Sequence, residues 1–381
     1  MEAFECSLCG LCHAVCPFGV RPLELFLELR REAVLRGVAN LPEHRGLLAY
    51  ERKGTSRRYS LYAIPDGCTT VFFPGCTFAG TRSEAVLAIQ EHLHRIIPNL
   101  GVVLDCCTKP SHDLGRHAYF LAMFGEMKNY LMAQGVSTVL VACPNCYKVF
   151  RRYGAPLQVR TIYEVFAEDR ALPQVHLKGT VTIHDPCVMR DEAAVQEAVR
   201  TLVDTAGLEV EEMPGSRQGT LCCGEGGGVG FVSPELARQW GVERREQAGK
   251  RPVVTYCAGC VGQLRRTMNA IHIMDLLLDG DAALAGRAWV SRAPFIYWKR
   301  LRLKETLRRR YTGAHLRERT YHGEAPKSGF SRWKSLLLAA VLTMAIFGIH
   351  AVGLSRYLER DILEAWIENY GTLAPLIYLL V

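Results

Sequence analysis

An α/β fold built as a tandem duplication, preceded by a small cysteine-bearing segment and followed by a transmembrane helix, is predicted by three features of the sequence. Short apolar runs rich in β-branched and aromatic residues alternate with amphipathic stretches, the pattern of βαβ units and mainly parallel sheets. Fourteen of the 15 cysteines fall into three ordered blocks, and the second and third are copies of each other. Near the C-terminus, residues 335–354 (SLLLAAVLTMAIFGIHAVGL) run without a formal charge.

The elements follow in chain order. Cys6-x2-Cys9-x2-Cys12-x3-Cys16-Pro17 opens the sequence, and residues 21–37 carry an apolar stripe closed by Gly37, which predicts a helix. The first 37 residues thus form one segment, and residues 38–68, basic and turn-rich, are expected to be a linker. Residues 69–75 (TTVFFPG), 101–105 (GVVLD) and 137–142 (STVLVA) are predicted strands, with helices over 82–97 and 116–134 between them. A second series repeats the pattern: strands at 181–185, 208–213 and 252–256, and helices near 191–206 and 233–248. Domains over 69–170 and 171–298 result.

Subtraction tests the duplication. Cys76 to Cys187 is 111 positions, Cys106 to Cys222 is 116, and Cys143 to Cys257 is 114. Agreement within five residues at three anchors means two related domains in tandem. In each copy the cysteines follow predicted strands, where open α/β sheets bind ligands. Several also precede helices, whose amino ends favour thiolate over thiol.

Charge is uneven. Between Lys299 and Lys334 there are 12 Lys/Arg and 3 Asp/Glu, an excess of +9 against a chain total of +8. This basic segment (299–334) reads as a solvated juxtamembrane anchor attracted to lipid headgroups; its stretch 299–310 lacks the interleaved aromatics that would suggest nucleic acid. About 20 apolar residues span a bilayer, so 335–381 is expected to be a membrane region. The preceding Lys/Arg cluster would then keep the earlier domains on the cytoplasmic side of the cell membrane. Disulfide scaffolds are small; a long chain with 49% hydrophobic residues and no expected secretory leader points instead to metal-bound thiolates in a reducing compartment.

The first block resembles the bacterial ferredoxin run, which implies a 4Fe-4S cluster. In that run the fourth cysteine serves a second cluster, and no second run occurs here. Cys6, Cys9 and Cys12 are therefore the expected ligands, while Cys16 either completes the same cluster or serves a partner's. Cys68 is a candidate fourth ligand or a small buried residue beside a strand, and structural zinc is the competing metal.

Cys76, Cys106-Cys107 and Cys143-x2-Cys146, repeated as Cys187, Cys222-Cys223 and Cys257-x2-Cys260, resemble the cysteine-rich CCG domain family. That family includes the doublet-bearing subunit of heterodisulfide reductase and the iron–sulfur subunits of glycolate and lactate oxidases. The resemblance covers about residues 69–280 and implies an unusual 4Fe-4S cluster on the five cysteines of each copy. It also implies an electron-donor or flavoprotein partner, and a disulfide, thiol or membrane-quinone substrate. Independently of the resemblance, adjacent cysteines cannot easily put both sulfurs on one tetrahedral zinc. Zinc or a vicinal disulfide remains the alternative in one copy.

The copies differ after the doublet. The second continues Gly224-Glu225-Gly226-Gly227-Gly228; the first has Thr108-Lys109-Pro110. The missing glycine puts the first site's geometry in question, so Cys187, Cys222, Cys223, Cys257 and Cys260 are the expected reaction site. The glycine run is not a nucleotide loop, because Val229 or Phe231 stands at the third-glycine position of G-x-G-x-x-G. His184 and His112 are either proton shuttles and cluster neighbours or strand-end histidines satisfying the backbone. The tail EAWIENYGTLAPLIYLLV is similar to the start of a DedA/VTT-type membrane domain, which would continue beyond Val381.

The expected function is a membrane-anchored iron–sulfur oxidoreductase or electron-transfer component related to heterodisulfide reductase. An iron–sulfur subunit of a flavin-dependent 2-hydroxyacid dehydrogenase and a redox- or metal-sensing regulator of the membrane domain are the alternatives.

Overall fold

A computed structural model describes residues 2–39, 42–169 and 176–323. Among the described residues ten strands form two sheets. The first contains β1 (Leu61–Ile64), β2 (Thr70–Phe73), β3 (Gly101–Leu104), β4 (Thr138–Val141), β5 (Gln158–Thr161) and β10 (His315–Arg317), in the order β10-β1-β3-β2-β4-β5. The second contains β6 (Thr180–His184), β7 (Glu209–Val210), β8 (Val253–Thr255) and β9 (Ala270–His272), in the order β7-β6-β8-β9. Every pairing among β2–β5 and among β6–β9 is parallel.

The order β3-β2-β4-β5 in one sheet is the order β7-β6-β8-β9 in the other, strand for strand. The tandem duplication read from cysteine spacing is thus a duplication of topology. Helices Ser83–Ile96, His117–Ala133, Ala193–Thr205 and Pro234–Ala248 lie where the apolar periodicity predicts them. β7 is only two residues long, because Glu209, Glu211 and Glu212 leave little to bury along 208–213.

Residues 38–68 are more than a linker. They hold the helix Arg45–Gly54 and β1, which is buried throughout and pairs antiparallel with β3. β1 pairs on its other side with β10, from within the basic segment.

That basic segment, over its described part, is also docked on the first domain. The helix Phe295–Arg310 buries Leu303 and Leu307 against the first domain, about 1.5–3 kcal/mol each. Its charges have local partners: Lys304 with Glu318 at 2.7 Å, Arg308 with Glu318 at 3.4 Å and Arg309 with Glu305 at 2.9 Å. Beyond it, the fully buried Arg319 pairs with Asp105 at 3.0 Å. Lys304 and Arg319 thus help close the domain, while Arg302, Arg308, Arg309 and Arg310 stay exposed.

The expected transmembrane helix, and with it the location in the cell membrane, is corrected. Among the described residues no helix is long and apolar enough to cross a membrane. The run 335–354 and the DedA/VTT-like tail lie outside the described residues, as does the boundary drawn at 170/171.

Candidate iron–sulfur sites

Parallel strands deliver the cysteines to one edge. Cys76 opens a helix two residues after β2, and Cys143 caps the helix Pro144–Tyr153, whose first turn carries Cys146. In the second copy Cys187 begins a single turn after β6, and Cys257 caps Ala258–Leu264 with Cys260 in its first turn. The doublets follow β3 and the irregular segment after β7.

In each copy five thiols form a continuous sulfur-to-sulfur line. In the first the order is Cys76–Cys106–Cys107–Cys146–Cys143, each thiol in side-chain contact with the next. In the second it is Cys187–Cys222–Cys223–Cys260–Cys257. The Cys223 and Cys260 sulfurs lie 3.2 Å apart. In each line one doublet thiol accepts from its neighbours and is held below its ordinary range: Cys107 between Cys106 and Cys146, Cys222 between Cys187 and Cys223. Gly224 N–H adds a bond to Cys222 Sγ at 3.3 Å.

Thr108 does not spoil the first site. It takes the left-handed conformation, φ 55° and ψ 24°, that a glycine would supply, and is fully buried with its hydroxyl donating to Cys107 O at 2.8 Å. At Gly224 the requirement is steric as well: φ is +95°, and a Cβ would lie 2.3 Å from Ala237 O.

The glycines after the second doublet allow the N-terminal backbone a close approach. A Cβ on Gly226 would lie 2.7 Å from Ser7 O, and one on Gly227 2.6 Å from Cys6 O. They let the N-terminal block seat directly on the second site. Arg30, fully buried, fastens the arrangement: Nε donates to Ala3 O at 2.8 Å, Nη2 to Cys6 O at 2.5 Å, and Nη1 to Gly227 O at 2.8 Å and Asp113 O at 2.7 Å. Arg190 donates to Cys9 O at 3.3 Å and Thr220 O at 2.6 Å. His44 reaches Gly228 O at 3.3 Å. None of these long-range contacts is visible in a one-dimensional pattern.

Within the N-terminal block, Leu8 at φ 54° and Gly10 at φ 76° fold the chain so that Leu8 N–H points at Cys6 Sγ, 3.4 Å away. Burial pushes the Cys6 thiol up, with Cys9 and Cys12 close enough to add to the effect. Cys12 is exposed and Cys16 half-buried at the end of the helix Leu11–Val15. Cys68 is buried at the first sheet and donates to Thr70 O at 3.2 Å.

The two copies meet at their C-x2-C ends. The hydroxyl of Tyr163, fully buried, lies between Ala142 O at 2.6 Å and Tyr256 O at 2.9 Å, its one proton shared by the carbonyls just before Cys143 and Cys257. Asn145 Nδ2 lies 4.0 Å from Cys257 Sγ. The second line therefore runs from the N-terminal block at Cys187 to the first site at Cys257.

The surroundings fit an anionic group held by thiolates. Two buried arginines keep N–H groups without protein partners: Arg300 Nη1 and Nη2 beside Cys76, and Arg244 Nε and Nη2, which feels Cys223 and Cys260. Unpaired buried guanidinium groups are costly, and negative charge at the thiol lines satisfies them. Five sulfurs in line exceed the four that one zinc takes. His184, a strand-end residue in the sequence, is buried beside Cys223 and Cys260, all three ligand atoms lying within 4.8 Å of one another. Burial pushes its imidazole down to about 3. Asp185 is a hub: it pairs with Arg200 at 2.9 Å and accepts from Tyr256 at 3.0 Å and from Arg217 N–H at 2.8 Å.

Comparison with known proteins agrees with this geometry. The cysteine-rich CCG domain model matches residues 70–151 and 181–265. The chain is 28% identical to a fumarate reductase (CoM/CoB) subunit of Methanothermobacter marburgensis over 72% of its own length and 62% of the relative's. It is 27% identical to a dihydromethanophenazine:CoB–CoM heterodisulfide reductase subunit of Methanosarcina acetivorans, over 62% of this chain and 65% of that one. A probable iron–sulfur-binding oxidoreductase of Bacillus subtilis is 25% identical over 65% of this chain and 40% of its own. The chain thus spans less than two thirds of these relatives. It carries two cysteine-rich CCG domains and is homologous to iron–sulfur proteins of the heterodisulfide reductase and CoM/CoB fumarate reductase type.

Proposed function

We propose that the chain is an electron-transfer subunit in which electrons enter at the N-terminal block and pass to the second five-thiol site, where a small disulfide is reduced to thiols. The observation that carries this reading is the seating of Cys6–Cys9 on the Gly226–Gly228 loop of the second site. Iron–sulfur groups held by the three cysteine sets would supply the one-electron steps.

The protein's own residues bind, orient and insulate. A cleft of about 490 Å³ is lined by Cys9 and Cys187 together, with Lys148, Arg152 and Arg190 against Asp191. Arg21 and Glu24 at its rim pair with each other at 3.0 Å and cancel. The remaining lining is net basic, which suits a disulfide bearing carboxylate, phosphate or sulfonate groups. Reduction breaks one S–S bond and consumes two electrons and two protons, leaving two thiols. An electron-donor protein would meet the chain at Cys12, where Val15 and Phe18 stand exposed beside it.

Support from relatives is of the same kind: two of them are named as a heterodisulfide reductase subunit and a CoM/CoB fumarate reductase subunit. The test is anaerobic purification with iron and acid-labile sulfide analysis, followed by reduction of a dianionic disulfide with reduced methyl viologen as donor. Iron–sulfur content with viologen-dependent thiol release is expected. A protein holding only zinc, or one fully loaded with iron that reduces no disulfide, overturns the reading. A water-soluble quinone in the same assay tests the other acceptor class.

A further inference from the structure

The two five-thiol lines are matched residue for residue, and each faces a buried arginine, but one neighbour has no counterpart. His184 is the last residue of β6, three positions before Cys187. The last residue of β2, three positions before Cys76, is Phe73, whose ring packs on Phe150 at 5.5 Å. The apolar side chain is what a strand-end core position ordinarily holds. His184 occupies the same place at 1% exposure, and both of its ring nitrogens lack a hydrogen-bond partner.

A neutral imidazole has one N–H donor and one acceptor nitrogen. Leaving a buried donor unmade costs about 1–3 kcal/mol, so the position is maintained only where something accepts the proton. The ligand atoms of Cys223 and Cys260 lie within 4.8 Å of the imidazole, close enough that a sulfur of a bound group is the acceptor on that side. Hydrogen bonds to sulfur withdraw negative charge and favour the reduced state of iron–sulfur groups.

We propose that His184 donates its ring N–H to sulfur at the Cys223–Cys260 end of the second site and thereby raises the reduction potential of that site alone. His184 is a positioning and tuning residue, not an iron ligand. The inference rests on the second site holding an iron–sulfur group.

The experiment is an EPR-monitored redox titration of the whole chain, purified anaerobically, with iron content measured first. His184→Phe, which installs the first copy's residue, should keep the iron and lower the midpoint of the second-site signal. The reduced-to-oxidised ratio at the wild-type midpoint should fall by about tenfold, about 59 mV for one electron, while the first-site signal does not move. His184→Gln, which retains a donor, should recover part of the shift. Pulsed EPR on wild-type protein labelled with ¹⁵N-histidine should give a weak nitrogen coupling to the reduced second site and needs no variant to fold. An unmoved midpoint in iron-replete His184→Phe overturns the inference, as does a strong coupling diagnostic of direct iron–nitrogen ligation or no coupling at all. Wild-type protein without iron overturns the cluster reading and this inference together.

Discussion

The two CCG domains have the same strand order and the same line of five thiols, yet they are placed differently in the molecule. The first site is packed among elements of its own domain, with Cys76 and Cys143 partly exposed at its two ends. Its doublet is followed by Thr108 and the helix Lys109–Asp113, and its Cys76 end is covered by Arg300 and by the helix Arg45–Gly54, where a Cβ on Gly54 would lie 3.3 Å from Cys106 Cβ. The second site has all five thiols buried, borders a cleft at Cys187 and is joined to the N-terminal block by a loop of glycines. Duplication supplied two equal binding sites; what surrounds them makes one a terminus and the other a junction.

The fastening of the junction is where a substitution should tell most. Arg30→Ala leaves four carbonyls without their donor, those of Asp113 and Gly227 in buried bonds. With buried unsatisfied groups at about 1–3 kcal/mol each, a loss of roughly 3 kcal/mol or more is expected. Thermal unfolding should register it, and electron delivery to the second site should fall while the first site keeps its iron. Next comes Gly227→Ala, which forces a Cβ to 2.6 Å from Cys6 O at a φ of +64°. A cost of about 1–3 kcal/mol is expected, with the N-terminal block displaced from the second site only. Retention of wild-type electron transfer in both variants would mean that the junction is misassigned.

The first site offers the opposing tests. Glu51, buried against its helix, accepts from Ser111 N–H at 2.8 Å and from the Ser111 hydroxyl, yet burial pushes its carboxyl up to about 7. Because the folded value exceeds the unfolded one near 4.5, the folded state holds the proton more tightly. Stability is then full below pH 4.5, declines as pH rises to about 7 and stays level above it, a total of about 3 kcal/mol. Glu51→Gln should flatten denaturant midpoints across that window; an unchanged slope would show that Glu51 does not titrate there. The smallest effect is expected of Thr108→Gly. It relieves a left-handed residue worth roughly 1–2 kcal/mol but adds glycine entropy and removes the bond to Cys107 O, so stability should change by less than about 1 kcal/mol.

Much of this organisation was legible in one dimension. The central strands β2, β3, β4, β6 and β8 announced themselves as apolar β-branched runs, and the cysteine offsets of 111, 116 and 114 anticipated a repeated topology. The five thiols of each line are the ones that the sequence marks out. What escaped were features made by distant partners. β1 and β10 are short strands, Leu61–Ile64 and His315–Arg317, which pair across roughly 250 residues and carry no periodicity long enough to read. The basic residues of Phe295–Arg310 signal a solvated face in isolation, and only the fold reveals Leu303, Leu307 and the Glu318 pairs that dock them. Thr108 looked like a defect because residue type was standing in for backbone conformation, and a buried threonine can be held left-handed. What approaches Gly226 and Gly227, the backbone of Cys6 and Ser7, is likewise set by a distant partner.

The central claim is the order of the three cysteine groups, with the second site between the N-terminal block and the first site. EPR of the fully reduced, anaerobically purified chain tests it directly through magnetic coupling between the N-terminal group and its neighbour. The coupling should persist when Cys107→Ser empties the first site and vanish when Cys223→Ser empties the second. Coupling that survives Cys223→Ser and disappears with Cys107→Ser would contradict the account.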